Sequence, residues 1–499
     1  MTRATVSKIW DAVVDAGALS PDWAGLPGTD AGTHTQVIER LRSADLDEWA
    51  STAARVGFCS NPVRLVGSSV AVDRASGEVL RQYASVDEPG GVTFVRCGNR
   101  RADRCPSCSR LYAADTFHLI RAGVAGGKGV PELVADNPLV FATLTAPSFG
   151  AVHGRRAHRP CRPRGGSARC EHGRPRACFE MHEPDDPQLG QPLCADCYDY
   201  KSHVLWQWWA PELWRRFSIT LKRRLAQRLG ADLDRLGDVA SLQYAKVAEY
   251  QVRGAVHFHA LIRLDGPPAG DGFAPAPSAV TAGVLAMLVE QVAAEVTLLA
   301  DPVTSDGTTR VLAFGAQVDT RVVRASRRTD EPDAPLTGEQ VAGYLAKYAT
   351  KSATDTESRD NPHLRRLHAT AQALAAAQDP TSPYRLLGRW AHTLGFRGHF
   401  ATKSRRYSVT LGRLRRARQR AQIRIAAAAR AGTTVDLRDL EAELLADDTD
   451  EAILVIGSWA YAGTGWANAG ETALATAAAA RAREYARRRA CARRETQSA

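Results

Sequence analysis

The amino-acid sequence predicts an α+β fold with a mainly antiparallel sheet flanked by helices. Between about residues 138 and 351, apolar segments follow the order strand, helix, hairpin, helix, strand, helix. Two of these segments, 239–250 and 256–264, are joined by a short turn at Arg253-Gly254, which is typical of an antiparallel hairpin. The order is close to the split βαβ plan.

The individual elements follow from composition and periodicity. Pro138–Thr145 is rich in β-branched and aromatic residues and predicts a strand. Further along the chain the patterns predict helices at Tyr198–Leu229 and Ser278–Ala300, a strand at Thr309–Val323, a helix after Thr337, a strand at Ser404–Thr410, and helices at Leu411–Arg430 and from Glu471 onward. Residues 37–56 have helical periodicity, and Val63–Val72 predicts a short strand.

Length and charge restrict the class of protein. The chain has 499 residues, enough for two to four domains, and a net charge of +11 in which arginine dominates. This balance indicates a polyanionic partner, with nucleic acid as the default. No apolar run approaches the ~18 residues that span a bilayer, and no signal-peptide core follows the start, so we expect a cytoplasmic protein without a membrane partner.

The hairpin carries a candidate metal site. His257 and His259 are one residue apart in an apolar strand, so both side chains point to the same face. Pairing through the Gly254 turn places Glu249 about opposite His257, where a cross-strand neighbour lies only ~5 Å away. The sequence therefore predicts that Glu249, His257 and His259 bind Mg²⁺ or Mn²⁺; a His-x-His pair that merely lines a sheet is the alternative.

A second ordered motif lies in the helix after Thr337. Thr337 and Gln340 have the spacing of a capping box. Tyr344 and Tyr348 are then one turn apart on one face, and Lys347 and Lys351 repeat the same offset beside them. An amphipathic helix with a solvated lysine edge is the alternative.

The cysteines predict structural zinc. Cys105 and Cys108 form one Cys-x-x-Cys unit and Cys194 and Cys197 another, with further cysteines and histidines between them. We expect one site near Cys97, Cys105 and Cys108. We expect a second site that uses Cys194 and Cys197 with two ligands from the set Cys161, Cys170 and Cys178, whose partition the spacing leaves open. Unrelated free thiols are the alternative, and Cys59 is expected to be a buried thiol. Because 151–198 has little apolar content, metal should supply its folding free energy.

These motifs together resemble those of HUH endonucleases of the two-tyrosine type, as in rolling-circle replication initiators. The matching residues are Glu249, His257-Phe258-His259 and Tyr344-x-x-Lys347-Tyr348, and Thr143-Leu144-Thr145 resembles the family's first motif. The likeness covers about Cys97 to Lys403 and is strongest to replication initiators of actinobacterial integrating plasmids.

The resemblance implies an HUH nuclease (ferredoxin-like) fold and a metal-dependent nick at an origin in single-stranded or cruciform DNA. One tyrosine would attack to leave a 5′-phosphotyrosine and a 3′-OH, with Lys347 and Lys351 supporting the phenols. A host polymerase and a helicase are the implied partners, since the sequence has no Walker A loop.

The predicted organisation has four parts. Residues 1–95 have no assigned role, 96–136 form a Cys-rich knuckle, 137–403 form the endonuclease domain with a zinc-binding insertion at about 151–198, and 404–499 form a basic, mainly helical region. Four other functions stay open. A transposase or a conjugative relaxase shares the chemistry, whereas a non-catalytic zinc DNA-binding regulator or a hydrolytic metal-dependent nuclease would form no covalent adduct.

Overall fold

The structure is a computed structural model. It describes residues 30–156, 158–164, 166–269, 272–303, 307–324, 336–350, 361–433, 435 and 453–498. Within these ranges the helices are α1 (Ala31–Arg42), α2 (Leu46–Arg55), α3 (Pro106–Ala125), α4 (Tyr200–Leu229), α5 (Ala282–Glu295), α6 (Gly338–Thr350), α7 (Pro362–Ala376), α8 (Leu411–Arg430) and α9 (Ala469–Ser498).

The strands of the same ranges, in chain order, are β1 (Val63–Asp73), β2 (Val79–Ala84), β3 (Thr93–Val95), β4 (Leu139–Leu144), β5 (Ser241–Tyr250), β6 (Val256–Asp265), β7 (Pro268–Ala269), β8 (Gly272–Phe273), β9 (Thr297–Ala300), β10 (Arg310–Ala313), β11 (Val318–Arg324), β12 (Leu336–Thr337), β13 (Ala401–Lys403) and β14 (Ile453–Thr464). The α+β class predicted from the sequence is confirmed. None of the described helices is long and apolar enough to cross a lipid bilayer.

The chain divides into two compact units. The first joins the described parts of Met1–Asp115 and Leu411–Ala499, and the second is Thr116–Thr410. The sequence-based organisation kept 1–95 and 404–499 apart, whereas here described segments from both belong to one unit. The long-range pairing of β1 with β14 makes this connection, with Val63 opposite Thr464 and Asp73 opposite Ile453.

The first unit has a core built from both ends of the chain. Trp466 stacks on Phe94 with ring centroids 5.1 Å apart and lies 5.3 Å from Trp49. Its indole Nε1 donates to the Cys59 carbonyl at 2.9 Å. Because Cys59 follows α2 and Trp466 precedes α9, this bond ties the two chain ends into one packed core.

The second unit is built on a six-stranded sheet, counted over the described residues, with the order β12-β11-β4-β6-β5-β13. Neighbouring strands are antiparallel except the short β11–β12 pair, which is parallel. The hairpin strand β6 therefore lies centrally, between β4 and β5, and only the short strand β13 lies beyond β5. Helices α4 and α5 pack beside each other over this sheet.

The two faces of β6 have different chemistry. Phe258 and Ile262 belong to the apolar core, and the Phe258 ring lies 5.8 Å from the Trp214 ring of α4. His257, His259 and the residues in step with them point to the opposite face, as strand alternation requires. Since the α4 side is mostly apolar, the register of the hairpin is fixed by burial of that face.

The opposite face is closed at one end by a buried ion pair. Arg263 and Asp265 are fully buried, with Nε to Oδ1 at 2.6 Å. Asn137 Nδ2 donates to the same carboxylate at 2.7 Å, and Arg263 also donates to the Gly123 carbonyl. These bonds satisfy the charges that burial would otherwise destabilise.

Several sequence-based boundaries were wrong. The helix predicted to reach Ala300 ends at Glu295, and Thr297–Ala300 is strand β9. The strand predicted at Thr309–Val323 is two strands, β10 and β11. Ser404–Thr410 forms turns, and the strand lies just before it at β13. Strand β14 was not predicted. Helix α3 (Pro106–Ala125) was not predicted either, whereas the helix at Tyr200–Leu229 and the hairpin strands lie within a few residues of their predicted positions.

Candidate active site

The β5–β6 hairpin brings three metal-ligand types together. Glu249 lies directly opposite His257, and His259 lies two residues further on the same face. Glu249 Oε2 is 3.0 Å from His257 Nε2 and 3.1 Å from His259 Nε2. The candidate ligand atoms of all three lie within 4.8 Å of one another. The geometry that the sequence predicted for these residues is therefore present.

The turn of the hairpin depends on a glycine. Gly254 has φ +78°, a conformation that side chains with a Cβ rarely adopt. A Cβ at this position would also come within 2.8 Å of the Leu364 side chain. The turn is closed by backbone bonds between Gln251 and Ala255 and between Gly254 and Gln251.

Burial orients the site toward one opening. The side chains of His259 and Glu249 are 3% and 9% exposed, whereas that of His257 is 16% exposed. The site is thus deepest at His259 and reaches solvent at His257.

His259 is held from behind by β4. Its Nδ1 lies 3.0 Å from Thr143 Oγ1, and Phe141 stacks on its ring with centroids 5.6 Å apart and planes at 10°. A cation on Nε2 leaves Nδ1 as the donor to the Thr143 hydroxyl, which fixes both tautomer and ring orientation. The sequence linked this strand to the family's first motif but did not identify Thr143 as a partner of His259. Thr143 lies opposite His259 in the register of β4 with β6, a long-range pairing that no local pattern of the sequence reveals.

The donor set fits an open divalent-cation site. Two imidazoles and one carboxylate supply three ligands, which leaves coordination positions for phosphate oxygens and water. The 3.0 and 3.1 Å separations equal the edge of an octahedron with bonds of about 2.1 Å, the length found for Mg²⁺. One carboxylate cannot neutralise a divalent cation, so the filled site would keep positive charge for an incoming phosphate.

Helix α6 brings Tyr344 to this site. Its capping box is confirmed: Thr337 N donates to Gln340 Oε1 at 3.0 Å and Gln340 N donates to Thr337 Oγ1 at 3.3 Å. The Tyr344 ring lies 5.2 Å from the His259 ring at 83° and 5.8 Å from Phe141. Because Tyr344 is still 41% exposed, its phenol borders both the candidate metal site and solvent.

The other residues of the tyrosine motif are less defined. Lys347 is exposed on α6. Helical backbone continues to Thr350, so position 348 follows Tyr344 by about one turn. The side chain of Tyr348 and the whole of Lys351 lie outside the described residues, so their predicted roles stay predictions.

The structure groups the cysteines differently from the sequence-based prediction. Cys97, Cys105 and Cys108 are together as expected, but Cys59 joins them, with its Sγ 3.7 Å from Cys105 and 3.6 Å from Cys108. The remaining ligand types form two further sets within the described residues: Cys170, His172, Cys194 and Cys197; and His153, Cys161, Cys178 and His182.

Two expectations about these clusters therefore need correction. Cys161 and Cys178 do not meet Cys194 and Cys197; they meet two histidines instead, and His172 completes the other set. Cys59 is buried, as expected, but within a cluster of four thiols. The histidines were visible in the sequence, but loop segments carry no periodicity that would assign them.

The fold and the site define an α+β protein that presents a three-ligand candidate metal centre and a tyrosine on one face of an antiparallel sheet. Residues 45–480 match the family described as RepSA, replication initiator protein, pSAM2. A replication initiator protein of Streptomyces ambofaciens is 42% identical over 463 residues, which cover 89% of this chain and 92% of that protein. No solved structure matches the chain. The chain belongs to this replication initiator family, which supports a role in plasmid replication initiation.

Proposed function

We propose that the protein starts replication as an HUH-type endonuclease that nicks and rejoins single-stranded origin DNA through a 5′-phosphotyrosine. The observation that carries the proposal is the convergence of Glu249, His257 and His259 beside the half-exposed Tyr344. An antiparallel sheet with the histidine strand β6 at its centre is also the arrangement expected of the HUH fold. Membership of a replication initiator family supports the biological role.

Each protein group has a defined task in this proposal. Glu249, His257 and His259 would hold Mg²⁺ or Mn²⁺, which supplies Lewis-acid polarisation of the scissile phosphate. Thr143 and Phe141 keep His259 in its ligating orientation. The buried sides of Glu249 and His259 exclude water from all but the His257 edge.

Tyr344 is the proposed first nucleophile. Its phenol oxygen forms a bond to phosphorus and the bond from phosphorus to the 3′ oxygen breaks. The phenol proton is passed to solvent or a nearby base, and the leaving 3′ oxygen takes up a proton from solvent. The products are a 5′-phosphotyrosine and a DNA 3′-OH. Since one phosphodiester replaces another, rejoining needs no nucleotide cofactor. A free phenol has a pKa of ~10, so positive charge from Lys347 on the same helix would favour attack.

A second tyrosine would allow a second strand transfer. While Tyr344 is esterified, Tyr348 would attack the regenerated origin, with Lys351 as its lysine partner. Helical backbone through position 348 supports this division, since a residue one turn away can address the same centre.

The DNA partner follows from charge. Arg321 on β11 is opposite Phe141 in register, shares the face of the metal site, and is 60% exposed. A phosphate backbone that crosses the sheet could contact Arg321 while one phosphate meets His257. The net charge of +11 supports the same partner. A separate helicase and polymerase would unwind and extend the DNA.

Trapping of a covalent adduct tests the proposal. Full-length protein is mixed with labelled single-stranded origin DNA and Mg²⁺ or Mn²⁺, denatured, and resolved by gel. Wild-type protein should give a protease-sensitive adduct, and peptide mapping should place DNA on Tyr344 or Tyr348. Tyr344→Phe and Tyr348→Phe should each keep some single nicking, and the double variant should form no adduct. Tyr485→Phe is a matched control, because Tyr485 is 44% exposed but lies on α9.

Each alternative function predicts a different result. Cleavage without an adduct would indicate a hydrolytic nuclease, and site-specific binding without cleavage would indicate a regulator. DNA found on Tyr344 alone, with Tyr348→Phe replicating normally, would contradict two alternating nucleophiles. A relaxase or transposase would give the same adduct at a transfer origin or element end rather than at a replication origin.

Structural zinc is a further part of the proposal. A tetrahedron with Zn–S bonds of about 2.3 Å has edges of about 3.8 Å. The Cys59 Sγ atom lies 3.6 and 3.7 Å from two of its three partners, close to this edge. The set Cys59, Cys97, Cys105 and Cys108 would thus bind zinc in the core of the first unit.

A further inference from the structure

The insertion between β4 and α4 contains two four-residue clusters in alternating order along the chain. His153 and Cys161 meet Cys178 and His182, whereas Cys170 and His172 meet Cys194 and Cys197. The first and third ligand pairs therefore form one cluster, and the second and fourth pairs form the other. This crossed connection differs from a sequential one, in which 153, 161, 170 and 172 would share an ion.

The distances within the clusters match tetrahedral zinc. Bonds of about 2.3 Å to sulfur and 2.0–2.1 Å to nitrogen give a sulfur–nitrogen edge of about 3.5 Å. Cys178 Sγ is 3.5 Å from His182 Nε2, and His172 Nδ1 is 3.2 and 3.7 Å from Cys197 and Cys194. The two sets differ in donor type. The set with His153 has two cysteines and two histidines, and the set with His172 has three cysteines and one histidine.

Hydrogen bonds from neighbouring groups orient two of these ligands and favour their metal-binding forms. Asp186 Oδ2 lies 2.6 Å from His182 Nδ1, which leaves Nε2 directed at Cys178 and His153. Such a carboxylate behind a histidine fixes its orientation and raises its basicity. The Gly154 amide donates to Cys161 Sγ at 3.2 Å, a bond that favours the thiolate form.

The insertion has little else to stabilise it. Between Ala151 and Tyr198 the described backbone pairings are isolated bridges, such as Arg162 with Cys178. Its large apolar side chains Phe179 and Met181 are 61% and 66% exposed. The buried side chains are instead mostly the ligands themselves, among them Cys161, Cys178, His182 and Cys194. Folding free energy must then come largely from metal binding.

We infer that residues 151–198 form a cross-braced module with two structural zinc ions, one held by His153, Cys161, Cys178 and His182 and the other by Cys170, His172, Cys194 and Cys197. In this connection each segment between two successive ligand pairs is held by one ion at its start and by the other ion at its end. Loss of either ion therefore releases one end of every such segment. This inference holds whether or not the protein nicks DNA.

The module has a mechanical consequence for the hairpin. Gly190 lies so close to the hairpin turn that a Cβ there would be 2.5 Å from the Val252 backbone. On the other side of the turn, Arg253 donates to the carbonyls of Ala146 and Pro147, just before the insertion, at 3.0 and 2.9 Å. The zinc-bound insertion thus supports the turn that joins Glu249 to His257.

Cadmium-113 NMR of the metal-exchanged full-length protein tests the ligand types without mutation. Cadmium shifts rise with the number of sulfur ligands, so we expect separate resonances for two-sulfur and three-sulfur sites, besides any four-sulfur site of the first unit. Absence of both the two-sulfur and three-sulfur resonances would overturn the inference.

Paired variants test the crossed connection. Cys161→Ser with Cys178→Ser removes two ligands of one proposed site and should lower the zinc content by one ion per chain, no more than either single variant. Cys161→Ser with Cys194→Ser should lower it by two. A sequential connection predicts a loss of two ions for both pairs. The variant with Cys161→Ser and Cys178→Ser therefore decides between the two connections.

Four further variants distinguish loss of a ligand from simple misfolding. His182→Cys keeps a ligand and should keep both ions, whereas His182→Ala should lose one. His158→Asn and Cys491→Ser alter an exposed histidine and an exposed cysteine outside every cluster and should keep the wild-type zinc content. Equal zinc loss in His182→Cys and His182→Ala would contradict the assignment of His182 as a ligand.

Discussion

The β5–β6 hairpin and the 151–198 insertion both gather histidines around a candidate cation, but they do so by different means. In the hairpin the ligands project from paired strands, and the register of Glu249 with His257 follows from backbone hydrogen bonds and a buried apolar face. In the insertion the ligands project from turns, and the cation would itself hold the chain. The fold thus positions the ligands of the hairpin, whereas in the insertion we propose that the bound cations position the chain.

Loss of the hairpin ligands should have the largest effect. His257→Ala and His259→Ala should each lower nicking by more than about 100-fold, since even residues behind a metal ligand contribute 10- to 100-fold. DNA affinity should fall much less, because phosphate contacts come mainly from Lys and Arg. Oligonucleotide cleavage and a binding titration measure both, with His399→Ala as an exposed control. Nicking at the wild-type rate in both variants would refute the site.

Metal removal should separate the two regions. A strong chelator should raise amide hydrogen exchange throughout 151–198, while the β5 and β6 amides stay protected because their ladder needs no ion. Cys194→Ser should likewise lower stability or solubility more than it changes the cleavage position. Metal analysis that finds no zinc in folded, active protein would end the zinc proposal. Unchanged exchange in 151–198 after complete zinc loss would show that the insertion folds by itself.

The support behind His259 should have a smaller effect. Thr143→Val removes the hydroxyl next to Nδ1 and should lower nicking about 10- to 100-fold through weaker cation binding. Thr143→Ser keeps the hydroxyl and should retain most activity. The readout is the Mn²⁺ concentration required for half-maximal nicking. An effect on unfolding temperature alone, with no shift in this concentration, would assign Thr143 a purely structural role.

The smallest expected effect is a change in stability caused by Lys246, which lies on the face of β5 that packs against α4. Lys246 is buried against the Phe258 and Trp214 rings, and desolvation lowers its pKa to about 7. The unfolded chain therefore binds more protons between about pH 7 and the ordinary lysine pKa, so stability should rise with pH across that window. Lys246→Met should flatten this rise and stabilise the protein at pH 7 by about 1 kcal/mol, since the rings offset part of the desolvation cost.

Denaturant unfolding at pH 7 and pH 9.5 measures the Lys246 effect. Lys201→Met is the control, because Lys201 is exposed on α4. An identical pH dependence in wild-type protein and Lys246→Met would contradict a buried lysine with a lowered pKa.

Local patterns were sufficient for the hairpin and for the tyrosine helix. Strand alternation placed His257 and His259 on one face, a glycine turn set Glu249 opposite, and a capping box located the start of α6. These features depend on residues within about ten positions of one another, where backbone geometry leaves few choices. The sequence by itself therefore determined the α+β class and the three ligands of the candidate site.

Only the tertiary structure decided the long-range partners. It brought Cys59 to the Cys105–Cys108 pair, placed Tyr344 against His259, and paired β1 with β14 across most of the chain. It also sorted the ligands of the insertion into crossed sets. Such contacts join segments far apart in sequence or loops without periodicity, and their energy comes from tertiary packing that no local pattern encodes.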